Sequence, residues 1–358
     1  MGLFSRSKKK TESPVHKRSA ELTVSNHEHL TAKAARISFN VPAEAEAFFT
    51  FIPGQYLNLH CPVSGSVLNR SYSICSAPGE PLSVAVKSVE GGVASNWLVD
   101  QLKPGTTIEV DFPHGNFRLQ KEAKKHVAFA AGSGITPFMS MAKSVEGTDH
   151  EITLFYGNSS QSETFFADEL NTLKNTKTHY YFSREEVAGH QKGRFDKQTV
   201  SEIIKADLSL LRADAFYICG PEAMIIAVKE VLEVFGIKPE QIHFELFTTP
   251  VLMKAPETVV TANFSGESTV SAILDGEVVT VKLNTKGKTV LEALDATGMD
   301  VPYSCKGGVC CTCKAKIIEG SASMKINYAL TDEEVAEGYL LTCQAHPTSE
   351  ILKLDFDV

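Results

Sequence analysis

The chain has 358 residues, 43% of them hydrophobic and 22% charged, with a formal net charge of −8. That is enough for two or three domains, and it excludes a mainly disordered, fibrous or polytopic membrane protein. No run of 18 apolar residues exists, so no bilayer span is expected, and the acidic balance lacks the basic footprint of a nucleic-acid binder.

Residues 1–20 read as a disordered basic tail, with Arg6, Lys8, Lys9, Lys10, Lys17 and Arg18 against Glu12 alone. The tail has no apolar core of a secretory signal, and Arg6 stands where a myristoylation site wants Ser or Thr. A cytoplasmic location is the expectation.

From 21 to 120 the sequence is strand-like. "YLNLH", "SYSIC", "LSVAVKSV" and "TIEVDF" alternate or are β-branched, with "PG" turns at 53–54, 78–79 and 104–105. This predicts an antiparallel barrel or sandwich. Within it, "RSYS" at 70–73 offers Arg70 to a pyrophosphate, Tyr72 as a flat face for a ring, and the Ser73 hydroxyl to a ring nitrogen. Downstream, "GGVAS" precedes a helix predicted over "SNWLVDQL". Gly91 and Gly92 allow close backbone approach there, and Ser95 reads as the N-cap of a phosphate-facing helix start. A four-residue motif alone is more often a half-solvated strand face; the neighbouring pieces in the right order reverse that balance.

Residues 121–245 alternate strand and helix, which predicts a parallel α/β sheet with ligands at the carboxyl ends of its strands. "HVAFAA" runs into the Gly-rich turn "AAGSGITP" (Gly132, Gly134, Thr136). "ETFFADELNTLK" reads as a helix, and "AFYICG" leads through "CGPEAM" (Cys219, Gly220, Pro221) into "AMIIAVKEVLEVFG". Pro137 stands where the dinucleotide fingerprint has its last glycine, so the turn is a phosphate-capable strand-to-helix junction of another type. In "FSREE", Ser183 and Arg184 follow a strand and Arg194 comes ten residues later. Ser and two Arg suit a 2′-phosphate and favour NADPH, while Glu185 and Glu186 keep NADH open. Residues 246–262 read as a linker.

Residues 263–358 return to strands around one helix, "TVLEALDATG", and carry 14 acids against 8 lysines. Five of the eight cysteines lie here. Cys305, Cys310, Cys313 and Cys343 have the C-x4-C-x2-C spacing with a distant fourth Cys of a plant-type [2Fe–2S] site. Gly307 and Gly308 suit a loop that wraps a cluster. Four cysteines can also hold zinc, which favours two C-x2–4-C pairs instead. Cys311 reads as a bystander. Lys306, Lys314 and Lys316 near the loop suggest a mildly basic docking face for an acidic partner.

"DVPYSCKGGVCCTCKAKIIEG" with "GYLLTCQAHP" resembles the plant-type ferredoxin family across the last 95 residues or so, with Cys305, Cys310, Cys313 and Cys343 as the implied ligands. The first two segments resemble the ferredoxin–NADP reductase superfamily. That resemblance implies FAD on the barrel. Arg70, Tyr72 and Ser73 would lie at the flavin and its phosphates, Val86 and Lys87 beside the ring, and Gly92, Val93 and Ser95 at the pyrophosphate. It further implies Thr136 at the flavin–nicotinamide junction, Cys219 beside the path of the transferred electrons, and Glu245 and Phe247 of "HFELF" near the flavin ring.

A nicotinamide delivers two electrons at once and a [2Fe–2S] cluster takes one, so a flavin must stand between them. The domain order thus describes a wire from NADPH to FAD to cluster to an outside acceptor. "AAGSGITP", "FYICGPEAM", "IHFELFTTP" and "NYALTDEEVAEGYLLTCQA" resemble the reductase components of bacterial phenylacetyl-CoA epoxidase systems of phenylacetate degradation, whose partner is a di-iron monooxygenase. Reductases of other oxygenases, hydroxylases or desaturases share this order. A non-catalytic binding protein with degenerate cofactor sites is a remote alternative, since no ligand position is lost.

Overall fold

The computed structural model describes residues 18–253 and 264–358. The basic residues up to Lys17 and the 254–262 part of the expected linker lie outside them.

The first unit is an antiparallel sheet of β1 (Ser19–Thr31), β2 (Ala34–Asn40), β3 (Tyr56–Val63), β4 (Ser66–Ser73), β5 (Ser83–Lys87) and β6 (Thr107–Asp111), with α1 (Val93–Asp100) between β5 and β6. The strand order is β4-β3-β6-β1-β2-β5. Ile74, just after β4, bridges Val84 on β5, so the two edges meet and the sheet closes into a barrel. Alternating side chains such as Ala20, Leu22 and Val24 of β1 fill its core. Ser19 and Ala20 pair with Asp111 and Val110 of β6. The expected tail boundary at residue 20 therefore falls inside a strand.

The second unit runs β7 (Lys125–Ala131), α2 (Thr136–Val145), β8 (Glu151–Asn158), α3 (Ala167–Thr172), β9 (Thr176–Phe182), β10 (Gln191–Lys192), α4 (Lys197–Ala206), β11 (Ala215–Cys219), α5 (Glu222–Val234) and β12 (Ile242–Glu245). All strands are parallel, in the order β10-β9-β8-β7-β11-β12. The chain winds outward from β7 to β10 and then restarts on the other side at β11. The switch point lies between β7 and β11, where α/β sheets bind ligands. Apolar residues at helical spacing, Ile225, Val228 and Leu232, seat α5 on the sheet. The helix expected over "ETFFADELNTLK" shrinks to α3. Phe166 adopts φ +55°, a left-handed conformation that ends regular winding on its N-terminal side.

The third unit comprises β13 (Glu267–Leu274), β14 (Glu277–Asn284), α6 (Val290–Asp295), β15 (Lys314–Glu319), β16 (Ala322–Met324), α7 (Asp332–Ala336), β17 (Tyr339–Leu341), β18 (Ala345–Pro347) and β19 (Ile351–Asp355). Its main sheet is ordered β14-β13-β19-β15-β17, with β13 and β19 parallel, and β16 pairs with β18. Thr289 and Glu292 form a reciprocal capping box that starts α6. The cysteine loop connects α6 to β15. No helix among the described residues is long and apolar enough to cross a membrane.

Candidate electron-transfer site at the junction of three units

The cysteine loop is packed against the other two units. Cys310, Cys313 and Cys343 are 7%, 1% and 4% exposed, while Cys305 is half-buried. Cys310 Sγ lies 3.1 Å from Cys305 Sγ, and the Gly307 N–H donates to Cys305 Sγ at 3.3 Å. Thiol donors from Cys310 and Cys343 pull the Cys305 thiol well below its ordinary range, and Cys343 does the same to Cys313. The four sulfurs thus form a linked chain, Cys310–Cys305–Cys343–Cys313. Among the described residues no group of three or more His, Cys, Asp or Glu converges as one metal ion requires. Four thiols, a backbone N–H aimed at sulfur and a buried loop fit the donor set of an iron–sulfur cluster.

Gly307 shows how close the units come. A Cβ built there would sit 1.9 Å from Thr249 Oγ1 of the segment after β12. That segment is tied down as well. The Glu222 carboxylate at the start of α5 accepts N–H bonds from Val251, Leu252 and Met253, and the Tyr328 hydroxyl donates to the Met253 carbonyl at 2.9 Å. The described part of the expected linker is therefore an anchored connection.

Strand β4 carries Arg70, Tyr72 and Ser73 and brings Ser71 and Ser73 to this junction. Arg70 is exposed and donates to the Asn69 carbonyl; Tyr72 is half-buried. Ser73 is buried, and its hydroxyl donates to Glu245 Oε2 at 3.5 Å. On the same strand, Ser71 donates to Ser304 at 2.9 Å, one residue before Cys305. A cavity of about 740 Å³ opens where the units meet, lined among others by Tyr56, Glu245, Phe244, Val309 and Cys310. This is the size of a cofactor site.

Several expected flavin residues stand differently. Gly92, not Ser95, is the N-cap of α1. Ser95 lies inside the first turn, where its hydroxyl accepts from the Val89 N–H at 3.3 Å. The extended backbone of Gly92 (ψ 119°) makes it the natural entry, so the helix starts two residues earlier than "SNWLVDQL" suggested. Val93 is exposed beside it. The Val86 side chain is fully buried in the barrel core and offers no face to a ring. Lys87 lies 3.7 Å from Glu163 of the second unit. Phe247 is 44% exposed, while His243, Phe244, Glu245 and Leu246 of "HFELF" line the junction cavity.

At the switch point, Gly132 (φ +55°) opens the turn and Thr136 caps back onto the Ser133 carbonyl at 3.0 Å. A Cβ on Gly134 would lie 2.1 Å from the Cys219 carbonyl oxygen, so only glycine lets the β7 and β11 turns touch. Gly220 and Pro221 continue the second turn into α5. Cys219 is fully buried. Burial, with Glu245 nearby, drives its thiol well above the ordinary range and keeps it neutral. At the other end of the sheet, β10 pairs with β9 in the register Lys192 to Phe182. Arg184 stands two residues past the end of β9 and Arg194 two residues past the end of β10.

Burial pushes the Glu245 carboxyl up to about 8. A carboxyl raised on folding contributes stability that is complete below its unfolded value and is lost as pH rises through about 8. Glu245→Gln is therefore expected to melt near wild type at pH 5 and a few degrees above it at pH 9, as read by thermal unfolding across that range. A gap of the same size at both pH values would show that Glu245 does not titrate this way.

Cys311 is more than a bystander. It is buried in the third unit's core, its thiol reaches the Ala329 carbonyl at 3.4 Å, and its N–H donates to the Tyr56 hydroxyl at 3.0 Å. The lysine face is also rearranged. Lys314 bonds Glu334 at 2.9 Å, and Glu334 in turn accepts from Asn116 of the barrel at 2.7 Å. Lys314 is thereby committed to the internal seam, because a partner carboxylate is already there. Lys316 lies over the Tyr339 ring, and Lys306 over Tyr303 at 4.0 Å.

Fold and site together define a pyridine-nucleotide-dependent oxidoreductase with a flavin barrel and an iron–sulfur domain. Models of an oxidoreductase FAD-binding domain, an oxidoreductase NAD-binding domain and a 2Fe-2S iron-sulfur cluster binding domain match residues 21–119, 129–230 and 272–348. The chain belongs to the family of oxygenase reductase components that includes the corresponding protein of 1,2-phenylacetyl-CoA epoxidase. It is 36% identical to that protein from Escherichia coli K12, over 94% of this chain and 97% of the relative. It is 34% identical to the ferredoxin reductase component of 3-ketosteroid-9-alpha-monooxygenase from Rhodococcus rhodochrous, over 96% and 99%. Among solved structures, phthalate dioxygenase reductase, described as a modular structure for electron transfer from pyridine nucleotides to [2Fe–2S], superposes with a TM-score of 0.58 at 25% identity over 94% of this chain and 98% of that one.

Proposed function

We propose that this chain passes electrons from NADPH through FAD and a [2Fe–2S] cluster to a cytoplasmic di-iron monooxygenase, that of phenylacetyl-CoA epoxidation. The observation that carries this reading is the three-way junction, where Glu245, which accepts from the Ser73 hydroxyl, lines one cavity with Cys310. The long match to the Escherichia coli epoxidase protein supports the choice of partner. When bound, FAD would take electron pairs from the nicotinamide and release them singly to the cluster.

The chain's own residues do the rest. Arg70 would neutralise the FAD pyrophosphate, with Gly92, Val93 and Ser95 presenting the first-turn N–H groups of α1. Tyr72 and Ser73 would hold the ring, with Lys87 at its edge. Gly132, Gly134 and Thr136, with Cys219, Gly220 and Pro221, would seat the nicotinamide end at the switch point; Ser183, Arg184 and Arg194 would hold the 2′-phosphate. Cys305, Cys310, Cys313 and Cys343 would ligate the cluster. The eight free cysteines suit a reducing compartment.

The test is reconstitution of NADPH-dependent epoxidation with the oxygenase components of a phenylacetyl-CoA epoxidase. Coupled product formation is expected only with this chain present. The match to the 3-ketosteroid monooxygenase component favours a second reading, service to another oxygenase. Turnover with that oxygenase and none with the epoxidase would establish it instead.

A further inference from the structure

Tyr56 is the residue on the barrel that reaches the cysteine loop most directly. It lies on β3 opposite Ser73 of β4 in the antiparallel register. Its backbone is pinned and its ring is closely approached. The backbone exchanges hydrogen bonds with His114 in both directions at 2.9 Å, and a Cβ on Gly115 would come within 3.0 Å of the ring. A buried tyrosine fixed in this way has its hydroxyl at one defined point, and that point accepts the Cys311 N–H. Cys311 follows Cys310 directly. Thr312 is the next residue, and its hydroxyl is buried without a hydrogen-bond partner among the described residues. The Tyr56 ring and Cys310 also line the same junction cavity as Glu245.

Among the described residues, the polar contacts that tie the loop side of the third unit to the barrel are few: Ser71 to Ser304, Asn116 to Ala329 and Glu334, and Tyr56 to Cys311. Of these, only the Tyr56 bond lands between two of the four linked cysteines. We propose that Tyr56 is a positioning residue for electron transfer from flavin to cluster, its hydroxyl holding the Cys310–Cys313 turn against the strand pair that carries Ser73. This rests on the reading that the four cysteines hold a [2Fe–2S] cluster and that Ser73 faces FAD.

Tyr56→Phe in the holoprotein keeps the ring and removes the hydroxyl. Iron, sulfide and FAD contents are measured first; an absence of iron and sulfide from the wild type would overturn the underlying reading and leave no cluster to position. With both cofactors loaded, stopped-flow absorbance separates flavin reduction by NADPH from cluster reduction. One hydrogen bond weights the docked geometry by about two- to tenfold, so the second step should slow by that factor while the first is unchanged. Hydrogen exchange of a peptide spanning 306–313 should show faster exchange of the Cys311 amide in the variant. Unchanged cluster reduction overturns the proposal, whatever the exchange result. Equal slowing of both steps also overturns it, because the residue would then be structural.

Discussion

Replacing Cys305, Cys310, Cys313 or Cys343 by Ser, one at a time, is expected to abolish or strongly alter the visible iron–sulfur spectrum, whereas Cys311→Ser leaves it in place. The first four sulfurs form the linked chain through Cys305 and Cys343. The Cys311 thiol instead points into the third unit's core toward the Ala329 carbonyl, a contact that a serine hydroxyl can make as donor. Iron and acid-labile sulfide near two each per chain are expected for the wild type and for Cys311→Ser. The cluster-free variants should still reduce ferricyanide with NADPH, because the barrel and the α/β unit each have their own core. They should fail to reduce a one-electron protein acceptor at a useful rate. Stoichiometric zinc without sulfide in the wild type would show that the loop is a structural metal site, and full partner turnover without the cluster would mean that electrons leave from the flavin.

The contrast between the four cysteines and Cys311 shows which parts of this molecule its sequence reveals. Ligand spacing within one loop is a local property, so the C-x4-C-x2-C run is readable without any knowledge of the fold. The glycine turns at 132–134 and 219–220 are readable for the same reason, since strand, turn and helix follow one another in the chain. Contacts between units are not. Tyr56 and Cys311 are 255 positions apart, and nothing in "PGQYLNL" announces that its tyrosine meets a cysteine loop. Lys314 looks free for an outside partner in the sequence because Glu334 comes to it from another part of the chain, itself held by Asn116 of the barrel. Local reading also fails where the backbone departs from its usual choice. Phe166 at positive φ cuts a helix that its composition favours, and Gly92 takes the capping position that Ser95 suits chemically. Val86 lies on a strand as expected, yet its side chain faces the core, which alternation in so short a strand does not settle.

Changing both Arg184 and Arg194 to Ala is expected to raise KM for NADPH while leaving KM for NADH nearly unchanged. Each arginine stands two residues past the end of its strand, Arg184 after β9 and Arg194 after β10, and these strands pair in parallel, with the Gly193 N–H bonded to the Phe182 carbonyl at 3.0 Å. Ser183 and Arg184 are fixed on the other side by N–H bonds to the Asn158 and Ser159 carbonyls. Both residues are exposed and stand where the chain leaves the carboxyl ends of β9 and β10. An NADH site at this edge would need a carboxylate for the ribose hydroxyls. The two acids nearby are engaged: the Gln161 N–H donates to Glu185, and Lys192 bonds Glu186 at 2.5 Å. A phosphate dianion arriving here therefore meets two cations whose neighbouring acids are already paired. A charge-assisted hydrogen bond lost at each position amounts to about 1.5–3 kcal/mol, roughly tenfold or more in KM per residue. Solvent screening at the sheet edge places the expected effect at the lower end of that range. Steady-state ferricyanide reduction with each nucleotide makes the measurement without the partner oxygenase. Equal losses for NADPH and NADH would show that the arginines only support the loop, and no loss for either would move the 2′-phosphate to another edge of the sheet.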